Sequence, residues 1–135
     1  MAEARRGRQM SGPSERVKEL LGQMMAKEYY LIENRMLVAP SELGAHLEAH
    51  LEFMIGLEKD GTLFLSGPLY DREGKMTGEG ITVVRAGSFE EAEEIAARDP
   101  FVVAGLRQPT VHRWVVNEGR VSVSVDLSDC SSRLG

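Results

Sequence analysis

Apolar residues recur along this chain at helical spacing in some stretches and in strand-like runs in others, and their order predicts a fold. After Gly12-Pro13, Ser14 suits a helix N-cap, and Val17, Leu20, Leu21 and Met24 follow at helical spacing. Tyr29–Val38 is rich in strand formers around a polar centre of Glu33, Asn34 and Arg35, and predicts the first strand. Pro40 and Ser41 stop it and open a helix to about Lys59, ended by Asp60-Gly61. Thr62–Ser66 predicts a second strand closed by Gly67-Pro68, Leu69–Glu79 a long Gly- and charge-rich loop, and Ile81–Ala86 a third strand. Ser88 opens the next helix, with Glu91 completing a capping box and Phe89, Ala92, Ile95 and Ala96 forming the apolar face. Asp99-Pro100 starts a short helical turn through Ala104, stopped by Gly105. Thr110–Val116 predicts a fourth strand, and Val121, Val123 and Val125 alternate with polar residues as a half-buried strand. Leu127–Gly135 is Ser-rich and reads as loose.

The order is βαββαβ with an added N-terminal helix and a C-terminal strand, which is the ferredoxin-like α+β arrangement. The expected organisation is an N-terminal extension over residues 1–26, a ferredoxin-like domain over 27–127 and a tail over 128–135. Two helices cover only one face of such a sheet. The other face, lined by Val, Leu, Trp and Phe, needs a cover, and a second copy packed sheet to sheet supplies it economically.

Composition narrows the function classes. With 135 residues there is room for one modest core. The net charge of −5 hides an asymmetry: residues 1–23 carry a small basic excess, including Arg5, Arg6 and Arg8, and the body is acidic. An acidic body is a poor match for a phosphate backbone, so no nucleic-acid partner is expected. No apolar run approaches the ~20 residues that span a bilayer, so no membrane partner is expected. The single cysteine, Cys130, excludes an internal disulfide, and a reducing cytoplasmic setting is expected.

Candidate chemistry gathers on the first long helix. Leu43, Leu47, His50, Met54 and Leu57 are spaced as one apolar stripe, so His50 must find a hydrogen-bond partner or a wet pocket there. A core histidine tied to a backbone carbonyl and a pocket histidine both satisfy that demand. His46, one turn earlier, borders the same opening. The pair also has a zinc-ligand spacing, but Glu48 is not where a His-Glu-x-x-His motif places its acid, and no metal is expected. Asp99 before Pro100 is a good helix N-cap, and its other oxygen could orient an imidazole. Arg35, toward the polar end of the first strand, could attract a carboxylate or phenolate. His112 shares a strand face with Trp114 and reads as a sheet or interface residue. Nucleotide-binding and nucleophile-elbow motifs are absent.

His50-Leu51, Asp60-Gly61, Leu65-Ser66-Gly67-Pro68-Leu69, Ser88-Phe89-Glu90-Glu91-Ala92, Asp99-Pro100-Phe101 and Ala104-Gly105-Leu106, in that order, resemble the YCII-related family over about Tyr29 to Val116. The departures are the first 26 residues, the doubled histidine, Ser66 in place of a small apolar residue, and the valine strand after Trp114. The resemblance implies a dimeric α+β barrel of ferredoxin-like subunits and a His–Asp active-site pair on His50 and Asp99. It also implies cofactor-free chemistry, resembling dehydrochlorination of a hydroxylated ring. Related dimeric barrels include isomerases, monooxygenases and cyclases, so fold alone does not choose the reaction. The expected function is a lyase or isomerase acting on a small aromatic or unsaturated ring. His50 and Asp99 would be catalytic, His46, Arg35 and Ser66 substrate-binding, with no cofactor. The alternative is a non-catalytic homodimeric module that binds a ligand or protein. The uncovered sheet face predicts that light scattering will report twice the 14.9 kDa chain mass, and a monomer at micromolar concentration contradicts the barrel.

Overall fold

In the computed structural model, which describes residues 12–135, the apolar positions of the first and third strands meet side by side. The described elements are α1 (Glu15–Gly22), β1 (Lys27–Met36), a 3-10 turn (Pro40–His46), α2 (Leu47–Lys59), β2 (Leu63–Tyr70), β3 (Met76–Val84), α3 (Phe89–Ala97), α4 (Pro100–Val103), β4 (Arg107–Val116), β5 (Val123–Asp126) and β6 (Ser131–Leu134). Arg5, Arg6 and Arg8 lie outside the described residues. The main sheet has the order β2-β3-β1-β4, with β3 antiparallel to both neighbours. This is the strand order of a ferredoxin-like βαββαβ unit. Two compact units emerge, Glu28–Val115 and a smaller one joining the described residues up to Lys27 with Val116–Gly135.

Alternation explains the core of the larger unit. Tyr30 pairs with Val84 and Ile32 with Thr82, so these side chains share one face of the sheet. Met54 and Leu57 from α2 and Ala92, Ile95 and Ala96 from α3 close over Tyr30, Ile32 and Val84. Ile32 and Val84 are among the largest fully buried side chains. On the opposite face His112 Nε2 meets Glu33 Oε2 at 2.7 Å, while Leu65 and Trp114 are 56% and 39% exposed.

The boundaries depart from the sequence expectation in four places. The stretch 69–79 is not a loop: β2 runs through Pro68 to Tyr70, and β3 starts at Met76. Asp71 closes this hairpin, its Oδ1 accepting the Glu73 and Lys75 N–H groups at 3.0 and 2.9 Å. Pro68 is tolerated because β2 is the edge strand. The helix expected from Pro40 is split, its first turns being 3-10, with Gly44 inside them lowering helical stability. Only Met54 and Leu57 of the expected stripe are buried. Finally, the tail expected to be loose holds β6, which pairs antiparallel with β5 in a separate two-stranded sheet. Val121, Val123 and Val125 are therefore not half-buried, being 73%, 64% and 55% exposed.

In the smaller unit, Ser14 caps α1 by accepting the Val17 N–H at 3.2 Å, and α1 buries none of its residues. Met25 N–H donates to the Asn117 carbonyl at 3.1 Å.

Gly61 and Gly78 both have φ of +85°, but their surroundings differ. A Cβ on Gly61 would meet open space among the described residues, whereas on Gly78 it would lie 2.8 Å from Met36 Cγ and 3.2 Å from Pro40 Cβ. Gly61→Ala is expected to cost about 1–2 kcal/mol of left-handed strain. Gly78→Ala is expected to cost about 1–3 kcal/mol more from overpacking. Urea titration checks the order, and equal costs would contradict this packing.

Candidate active site

Asp99 opens α4 because an aspartate before proline can cap a helix whose first residue has no N–H to satisfy. Its Oδ1 accepts the Phe101 N–H at 2.9 Å. The same oxygen lies 2.8 Å from Nδ1 of His50, which reaches it from α2. Phe101 completes the seat, its ring stacked on the imidazole with centroids 4.2 Å apart and planes 16° from parallel. Both partners are withdrawn from water, with side chains 14% and 5% exposed. His50 is therefore anchored to a side-chain carboxylate and not to a backbone carbonyl.

The geometry fixes the chemistry of the ring. An ionised carboxylate offers only lone pairs, so Nδ1 carries the proton, and in the neutral ring Nε2 presents its lone pair. Nε2 hydrogen-bonds to none of the described residues. Among those residues the only buried side-chain polar atom without a partner is Asn34 Oδ1, so Nε2 is not sealed in the core. That orphan acceptor borders a cavity of about 10 Å³, shared with Thr82, Asp99, Met54 and Ile95. The volume matches one water molecule.

Arg107, at the start of β4, is 7% exposed, and its Cζ lies 4.7 Å from the centroid of the Phe101 ring. Its Nε–H donates to the Gly78 carbonyl at 2.9 Å. Burial pulls the guanidinium below its ordinary value, and the charges of Asp99 and Glu79 oppose that. Arg107 was not among the residues singled out from the sequence. The signal was available in the strand alternation, because Arg107 shares its face of β4 with Val111, which packs on the core.

The other expected site residues disperse. Ser66 is exposed on the edge strand opposite Thr82, on the helix-covered face and therefore on the same side as His50. His46 ends the 3-10 turn, half-buried, and precedes α2, so the two histidines do not share one regular helix. Arg35 alternates away from Asn34 onto the other face and lines an open cleft of about 320 Å³ with Glu33, Leu69, Glu79, Gly80 and Ile81. No cluster of three or more His, Cys, Asp or Glu side chains able to hold a metal occurs among the described residues. No described helix is long and apolar enough to cross a membrane.

Comparison with known proteins bears on the family and the fold. The profile of the YCII-related domain matches residues 24–115. An uncharacterized Bacillus subtilis (strain 168) protein, YjpA, is 36% identical over 69 residues, covering 51% of this chain and 75% of that protein. Among solved structures, a 5-chloro-2-hydroxyhydroquinone dehydrochlorinase (TftG) from Burkholderia phenoliruptrix AC1100, in complex with 2,5-dihydroxybenzoquinone, superimposes with a TM-score of 0.53. That match has 24% sequence identity and covers 64% of this chain and 92% of the other. It shows a shared α+β fold with an antiparallel sheet.

Asp99 serves two donors, so its substitutions separate two effects. Asp99→Ala is expected to cost about 2–4 kcal/mol, combining a lost cap with a lost charged hydrogen bond. Asp99→Asn, which still caps, is expected to cost about 1 kcal/mol. Chemical denaturation measures both, and equal losses would mean that the cap is a minor part of its role.

Proposed function

The chain belongs to the YCII-related family, and from that premise we propose that it is a cofactor-independent small-molecule enzyme using His50 and Asp99 as an acid–base pair. The observation that carries this reading is the 2.8 Å contact between His50 Nδ1 and Asp99 Oδ1, with Nε2 bonded to none of the described residues. Nε2 takes a proton from a C–H or O–H of the substrate. Asp99 holds the ring in the tautomer that allows this and offsets the positive charge of the imidazolium. General base catalysis of this kind contributes about 10²–10⁴-fold. The reaction class is an elimination or isomerisation on a small hydroxylated or unsaturated ring. The dehydrochlorinase neighbour, solved with 2,5-dihydroxybenzoquinone, supports that class. Ser66, on the same side of the sheet, is the better placed of the remaining substrate-binding candidates. His46 is proposed only for the rim, and Arg35, on the other face of the sheet, lies outside this site.

The working unit in this reading is a homodimer that buries the sheet face carrying Leu65 and Trp114, whose exposure supports a covered interface.

The test uses hydroxylated and chlorinated quinols, following chloride release and, in D₂O, exchange of ring protons. His50→Ala and Asp99→Asn are each expected to lower the rate about 10²–10⁴-fold. The double variant should lose little more than either alone, because the groups act as a unit. Full activity in Asp99→Asn would reduce Asp99 to a helix cap. Unfolding of His50→Ala would return His50 to the core.

A further inference from the structure

Arg107 is a buried cation whose hydrogen-bonding capacity is mostly unspent. A guanidinium has five N–H donors in a fixed fork. Nε–H is used on the Gly78 carbonyl, and neither Nη group donates to any described residue. Neither Nη is among the fully sealed, partnerless atoms of the described residues, although the residue is only 7% exposed. The carboxylates of Asp99 and Glu79 act on Arg107 through their charge but do not occupy its fork. Asp99 Oδ1 is already taken by His50 and Phe101.

Two further observations say where the fork is. The Phe101 ring carries both groups, the imidazole centroid at 4.2 Å and the Arg107 Cζ at 4.7 Å. Cζ is therefore no more than about 9 Å from the centre of the His50 ring. Each Nη lies 3.7 Å from the point a Gly80 Cβ would occupy, so any larger residue at 80 would stand against the fork.

We propose that Arg107 is a substrate-binding residue whose Nη groups hold a planar pair of acceptor oxygens, a carboxylate or two adjacent ring oxygens sharing a negative charge, beside His50. The substrate class is thus an anionic ring compound. This deepens the His50–Asp99 reading and rests on the same site. The fork geometry is the reason for an arginine here, because a planar two-oxygen group takes two parallel N–H bonds that lysine cannot supply.

The test is binding, and needs no turnover. Benzoate and the 2,5-dihydroxybenzoquinone anion are titrated against the full chain, with benzamide as the neutral match of benzoate, while the Arg107 Nε–H resonance is followed by NMR. The expected result is a shift of that resonance by at least one anion. Benzamide should bind about tenfold or more weakly than benzoate if the carboxylate arm is the right one. A response only to the quinone anion would assign the fork to adjacent ring oxygens. Arg107→Lys should weaken the responding anion by about tenfold or more. Arg107-dependent binding without any proton transfer would keep this proposal and sink the acid–base reading. If neither anion moves the Arg107 resonance of the wild-type chain, or if Arg107→Lys binds as tightly, Arg107 is a structural cation and the proposal falls.

Discussion

One carboxylate oxygen joins the two halves of this site. Asp99 Oδ1 receives the first free N–H of α4 and the Nδ1–H of His50 together. The cap alone is ordinary, since an aspartate before a proline needs no functional reason. What sets this one apart is its burial beneath α2 with an imidazole against it. A nearly buried carboxylate must have its lone pairs satisfied, and the partners available are a backbone N–H and a ring N–H. That requirement fixes the tautomer of His50 and the direction of its other nitrogen. Phe101 follows in the same turn and supplies the surface on which the ring rests.

The sheet makes this meeting possible. With β1 and β3 central, α2 and α3 pack on one face, and the first turn of α2, through His50, meets the cap of the short α4 that follows α3. Arg107 enters from β4, which Leu37 and Leu106 tie to the end of β1 through a 2.9 Å backbone bond. Carboxylate, imidazole and cation thus come from three different segments, with imidazole and cation on the Phe101 ring and the carboxylate on that residue's backbone N–H. A histidine in an apolar row and a buried arginine are both costly in a core. Their presence together around Phe101 is the pattern expected where stability has been given up for binding.

Much of this was legible in the chain. The order of elements, both N-cap serines and the stop at Gly105 follow from short-range rules, and the structure has them. His50 stood out because a polar ring interrupts an apolar row, and Asp99 because of Pro100. What failed depended on context. The charged stretch at Asp71–Lys75 looked like a long loop, because an aspartate turn that closes a hairpin has no hydrophobic signature. Valine alternation after Asn117 predicted burial, yet a two-stranded sheet has no second layer of its own to bury it. Arg107 escaped notice because the expected fourth strand began at Thr110, whereas the strand starts at Arg107 itself. Its burial depends on Phe101, in the helical turn just before it, and on Gly78, which lies on another strand.

The central claim is that Asp99 holds His50 with Nδ1 protonated and the Nε2 lone pair presented outward. Nitrogen-15 NMR of the imidazole, recorded where the ring is neutral, reads this directly. The account predicts a protonated Nδ1 with a downfield hydrogen-bonded proton, an unprotonated Nε2, and loss of that proton signal in Asp99→Asn. A neutral ring carrying its proton on Nε2, or a spectrum unchanged by Asp99→Asn, would contradict it.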